Sequence, residues 1–164
     1  MSTKVKAIAI ASVCGMLMLL ALGGAARATD SPGPHAKTIK VISRATAINN
    51  FVDTGPPWPS SGDLSVFSDK LFYTTQPDIQ VGHADGRCVL IDPPAQSFGC
   101  TIINAFADGT ITTEGTLTLV TGTTSTGAIT GGTGAYRTAR GEATLLLGPF
   151  EGPHQATFSV ILYP

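Results

Sequence analysis

An all-β fold of about eight antiparallel strands is what this 164-residue sequence predicts, and three observations carry it. No window shows apolar residues at the 3.6-residue spacing of an amphipathic helix. Short runs rich in β-branched residues alternate instead with Gly, Pro and Asp-Gly pairs, among them Asp85-Gly86 and Asp108-Gly109. Between Thr110 and Thr130, ten of 21 residues are threonine, whose branched Cβ favours extended backbone. Strands of this kind with short connections build a sandwich or an up-and-down barrel.

The first 28 residues read as a segment outside that fold. Lys4 and Lys6 precede an uncharged apolar run, Ala7 to Leu22, and an Ala26-Arg27-Ala28 site follows. A basic start, an apolar stretch and an A-x-A site make a secretory signal peptide. The run is short for a membrane span of ~20 residues. Cleavage after Ala28 and export, outside the cell or to its envelope, are therefore expected. The bulky Val13 before Cys14 argues against a lipid anchor there. Thr29 to Ala36 reads as a flexible leader, and residues 37–164 as one domain with one core. Without Lys4, Lys6 and Arg27, seven basic residues stand against eleven acidic ones. No basic cluster exists to neutralise a phosphate backbone, so a nucleic-acid partner is not expected. His35, His83 and His154 are scattered and no Cys-x-x-Cys occurs, so no metal site is expected.

In chain order, strands are expected at 38–46, 64–74, 79–84, 87–92, 99–107, 110–121, 126–130, 140–148 and 154–163, with 79–92 able to merge into one long bent strand. Asn50 to Asp63 (NFVDTGPPWPSSGD) is the longest irregular piece and carries the only tryptophan, Trp58. It serves either as a surface crossover or as a loop over a barrel mouth. Period-two alternation sorts side chains by face. Phe67, Asp69, Leu71 and Tyr73 share one face, opposite Lys70, which must reach solvent. Cys88 goes with Leu90; Cys100, Ile102, Asn104 and Phe106 go together; Ala156, Phe158, Val160 and Leu162 form an apolar face. The inward set is aliphatic and aromatic with a few polar members: Asp69, Asn104 and Ser43. An eight-stranded barrel lined this way has room for one small apolar ligand. Its candidate ligand-binding residues are Ser43, Phe67, Tyr73, Leu90, Asn104, Phe106 and Phe158.

The stretch Ile129 to Glu142 (ITGGTGAYRTARGE) has the look of a phosphate loop but not its chemistry. No Lys-Ser or Lys-Thr pair follows Gly134, and Ala143 to Leu147 continues as a strand rather than a helix. The glycines are better read as turn and close-approach positions.

Three stretches resemble the plant allene oxide cyclases and, more loosely, the dirigent proteins: GDLSVFSDKLFYT (Gly62 to Thr74), IQVGHADGRCVLI (Ile79 to Ile91) and the AITGGTGAYRTARGE block with the strand after it. The resemblance implies an eight-stranded antiparallel up-and-down β-barrel with a hydrophobic cavity, a homotrimer, and cofactor-free guidance of a reactive intermediate into a ring or a coupled product. Asp69 falls where the cyclases carry a cavity asparagine, and Cys88 matches their cavity cysteine. Their first-strand glutamate has no counterpart: the strand here reads TIKVISRATAINN, with Ser43 or Arg44 near that place. The dirigent acidic pair is not present either. The plant reaction is therefore not expected.

Two residues carry competing readings. Cys88 either lines the cavity as a thiol or, across a hairpin turning at Pro93-Pro94, faces Cys100 and forms a disulfide, the reading that an even cysteine count in an exported chain favours. Asp69 either is a partly exposed residue paired with Lys70 or an arginine, or bonds to backbone near the barrel end, or is a buried acid or base of raised pKa, for which Arg137 and Arg140 are candidate counter-ions if they do not lie on the outer surface. Asp69 and Cys88 are the candidate catalytic residues. Three functions follow: a guiding barrel that holds a small apolar intermediate without a cofactor, a cofactor-free cyclase or isomerase using Asp69, and a structural secreted barrel with a filled interior.

Overall fold

The computed structural model describes residues 34–149 and 152–163. The expected signal peptide, and the leader up to Gly33, lie outside the described residues. Eight strands follow in order: β1 (His35–Val52), β2 (Leu64–Tyr73), β3 (Gln76–Asp92), β4 (Ser97–Phe106), β5 (Gly109–Thr118), β6 (Thr124–Gly132), β7 (Ala139–Leu146) and β8 (Pro153–Leu162). Each pairs antiparallel with the next, and β8 returns to β1, closing the barrel. Closure leaves no unpaired edge, which suits a chain this rich in threonine and short of charge.

β6, which runs Thr124–Gly132, β3 and β1 are longer than the sequence patterns suggest. The runs 79–84 and 87–92 are one strand, because Asp85 and Gly86 keep partners on both sides: Ser68 and Phe67 on β2, Ile103 and Ile102 on β4. β1 continues past a register shift between Ala45 and Asn49 and reaches Val52. The irregular segment therefore begins at Asp53. It is pinned by Asp63, which is fully buried and accepts hydrogen bonds from the Ser60 and Thr54 backbone N–H groups (2.8 and 2.9 Å) and from both hydroxyls (3.0 Å each). The N–H groups of Ser60 and Thr54 hold the Asp63 carboxyl below its ordinary value.

The two ends of the barrel differ. One is plugged by Ile39, Val41, Leu71, Ile111, Ile129 and Val160, with Tyr136 beneath them. Tyr136 stands on a single 3-10 turn, Gly134–Tyr136, inside the glycine-rich stretch. Gly134 takes a φ of +58°, and a side chain there would run into the Asp108 carbonyl. The glycines thus let a tight turn seat an aromatic plug. The phenol donates to Asp108 (3.1 Å) and accepts from Lys37 (3.3 Å); burial, then Asp108, pushes it up to about 12. Toward the other end, Cys88 and Cys100 are opposed in register on β3 and β4 and joined by a disulfide. They pack with Leu90 and Phe98 in a second small cluster.

Candidate functional site

Above the plug the barrel encloses a cavity of about 670 Å³, which opens at the end formed by the β1–β2 segment and the β5–β6 and β7–β8 connections. The size lies within the ~300–1,000 Å³ of small-molecule sites. Leu71, Ala84 and Phe158 form part of the floor; Phe67, Ile102, Leu117 and Leu145 the walls; Phe51, Leu119 and Leu147 line it toward the mouth.

Polar residues occur all round the lining, Asn104, Thr113, Ser125 and Thr144 among them, and three stand together on adjacent strands. Ser43 on β1 lies directly opposite His154 on β8, and Ala45, two residues on from Ser43, lies opposite Asp69 on β2. The Ser43 hydroxyl donates to Asp69 Oδ2 at 2.6 Å. Asp69 is 7% exposed, and its Oδ1 is the one buried side-chain oxygen or nitrogen, among the described residues, without a hydrogen-bond partner. Neither Lys70 nor Arg137 nor Arg140 pairs with it: all three are exposed, and Arg140 donates to the Ala139 carbonyl. A buried carboxylate oxygen with no donor is costly, and a cavity wall is where such an atom meets a ligand. His154 has its Nδ1 occupied as acceptor from the Gly148 backbone N–H at 3.0 Å. Burial lowers its basicity, opposed by the nearby Asp69 charge. The ring is therefore neutral at pH 7, with its proton on Nε2.

Of the other residues singled out by sequence, Phe67, Asn104 and Phe158 line the cavity. Asn104 also donates to the Ile111 carbonyl at 3.3 Å. Cys88 reaches the wall as half of the disulfide, so it offers no thiol. Leu90 is buried in the cluster around that disulfide. Phe106 packs edge-on to Phe158 (6.4 Å) and against Tyr136 (5.9 Å), supporting the floor from below. Tyr73 sits past two register shifts at the end of β2, exposed beside Lys37 and Lys40 on the outside. Sequence reasoning passed over His154, Phe51 and Leu145. His154 was legible: alternation along β8 puts it on the face of Ala156 and Phe158.

The profile of the allene oxide cyclase barrel like domain matches residues 43–157. The chain belongs to this family. Among solved structures, this allene oxide cyclase-like barrel is similar to a pyocyanin demethylase, at 28% identity over 76% of this chain and 99% of that one, with a TM-score of 0.65. It also resembles a pterocarpan synthase dirigent protein (19% identity, 79% and 84% covered, TM-score 0.61) and an exo-specific intermolecular Diels-Alderase (18%, 79% and 98%, TM-score 0.62). Among curated proteins, none matches the chain.

Proposed function

We propose that this allene oxide cyclase-like barrel is an exported, cofactor-independent protein that takes one small, mainly apolar, reactive molecule into its cavity. It limits the conformers of that molecule and guides its cyclisation, coupling or rearrangement, with Asp69 moving a proton. The observation that carries the proposal is the unpartnered Oδ1 of Asp69 on the wall of the cavity. An enclosing apolar wall supplies orientation, and the buried Asp69 carboxylate supplies acid–base chemistry. A filled interior, the structural alternative, does not agree with a cavity of this size. The activities for which these neighbours are named, demethylation of pyocyanin, pterocarpan synthesis and Diels-Alder addition, all concern small molecules and support the substrate class. Export rests on the first 28 residues, and an exported protein whose N-terminal residue is Thr29 is the expected result of Edman sequencing. The homotrimer implied by the family is expected in light scattering.

The test is turnover of pyocyanin and of polyene and diene–dienophile substrates, followed by chromatography with mass detection. At least one is expected to be converted, and Asp69→Asn to slow it by about 100-fold or more, with an unchanged circular dichroism spectrum. An Asp69→Asn protein of full activity removes Asp69 from the chemistry. Failure of every apolar molecule to bind removes the reading as a whole.

A further inference from the structure

The two cavity groups His154 and Asp69 differ in what they offer. Asp69 Oδ1 is an acceptor without a donor. His154 has its Nδ1 filled by the Gly148 N–H, which leaves Nε2 as the ring's donor, and no acceptor among the described residues takes it. Both line the same cavity. They make no hydrogen bond or ion pair with each other, although β1 alone separates their strands and Ser43 is partnered to both, to His154 by register and to Asp69 by its hydroxyl. An acceptor and a donor held on one wall, each lacking a partner among the described residues, await a ligand that carries the complement of both.

From this we infer that His154 is a second catalytic residue and that the substrate is a small apolar ketone or enone with an acidic C–H next to its carbonyl. The inference rests on the proposed function and specifies its site. In the step, Asp69 Oδ1 takes the proton. The C–H bond breaks, its electron pair becomes the new C=C bond, and the carbonyl π pair moves onto oxygen. His154 Nε2–H donates to that oxygen throughout and stabilises the growing charge. From an enone, return of the proton from Asp69 to the far carbon of the dienolate gives the shifted isomer. Where the molecule also carries a second C=O or conjugated C=C, the enolate carbon attacks it to form the ring bond, the π pair of that group moves to its far atom, and that atom takes the proton back from Asp69. Atoms and electrons balance in either case without an oxidant or reductant. A neutral imidazole suits this role, since it donates without having to surrender its own proton. The fixed Nδ1 acceptor bond sets which nitrogen carries the hydrogen.

Two probes of nearly equal shape test it: 1-tetralone, an aryl ketone with an exchangeable α-proton, and tetralin, which lacks the oxygen. The wild-type protein should bind the ketone about tenfold more tightly, the effect of one good hydrogen bond, and catalyse exchange of its α-protons with D₂O. His154→Phe should erase the preference for the ketone over tetralin, whatever it does to either affinity alone, and His154→Gln, which keeps an N–H, should restore part of the preference. Asp69→Asn should keep the preference and lose the exchange, a split that a merely structural role for either residue does not produce. In ¹⁵N NMR the His154 ring should show the Nε2–H tautomer before any ligand is added. Equal affinity for the two probes, or the opposite tautomer, overturns the inference and leaves the binding barrel standing. If neither probe binds, the inference fails, while the proposed function is decided by the wider panel of apolar molecules.

Discussion

At the scale of single residues, the chemistry lies in how few partners a buried group has been given. Asp63 and Asp69 are both buried, yet they are treated in opposite ways. Asp63 receives four hydrogen bonds and ties down a loop, whereas Asp69 receives one and keeps an oxygen free. The titration of Asp63 and His154 should be visible in stability. His154 is lowered from 6.5 by burial, so the unfolded chain takes up its proton first as pH falls. Where the unfolded state binds more protons, stability rises with pH. The contribution of neutral His154 is therefore present above pH 6.5 and lost as pH drops through its folded value. Asp63, lowered from 3.8, adds stability that is present above 3.8 and lost below it. Melting curves across pH should thus show a first decline starting below 6.5 and a second starting below 3.8. His154→Gln should abolish the first and keep the second. A variant that retains both assigns the first decline to another group.

At the scale of elements, β3 shows what sequence can and cannot convey. Its Asp85-Gly86 pair signals a turn, and the sequence patterns split the strand there. In the barrel Gly86 lies opposite Phe67, whose ring occupies the space a Cβ would need. A contact 19 residues away in the chain therefore overrides a local signal. Gly86→Ala should push the Phe67 ring, a cavity wall, out of place; the fold should survive while affinity for cavity ligands changes, measurable by titration calorimetry. The reverse holds for Cys88 and Cys100, where symmetry of the hairpin favours the disulfide over a cavity thiol and the structure joins them. Their disulfide closes a 12-residue separation, and replacing both with serine should cost ~2–3 kcal/mol in chemical denaturation. A loss near zero would mean that the bridge restricts the unfolded chain no further than the structure that chain already retains. Alternation made Ser43, Phe67, Asp69, Asn104 and Phe158 legible as inward residues. It misplaced Tyr73, because register shifts at Leu71–Tyr73 end the simple period of two. It could not tell Phe106 below the floor from Phe158 upon it, since depth along a barrel is set by stagger and not by parity.

At the scale of the whole molecule, the barrel has a direction. The plugged end carries a buried tyrosine with a lysine and an aspartate at its hydroxyl. Around the open end stand Phe51, Val52, Trp58, Ile91, Val120 and Leu146, all exposed. Single exposed apolar side chains are ordinary, but six at one end of one barrel form a collar that favours an apolar visitor there. Trp58 is the only tryptophan and is 65% exposed. Its ring meets the edge of Phe51 at 6.1 Å, and Phe51 in turn meets Phe98 at 6.4 Å and lines the cavity. A ligand passing this mouth must move or cover Phe51, and Trp58 will sense it. Tryptophan emission should change saturably as 1-tetralone is added, in a stopped-flow trace with a single binding phase. Phe51→Ala removes the side chain between the entering molecule and the cavity, so entry and exit should both speed up while the equilibrium affinity changes little. Emission that stays constant while calorimetry shows the probe bound would mean that ligands enter elsewhere, and the collar would then be a surface for something other than the substrate.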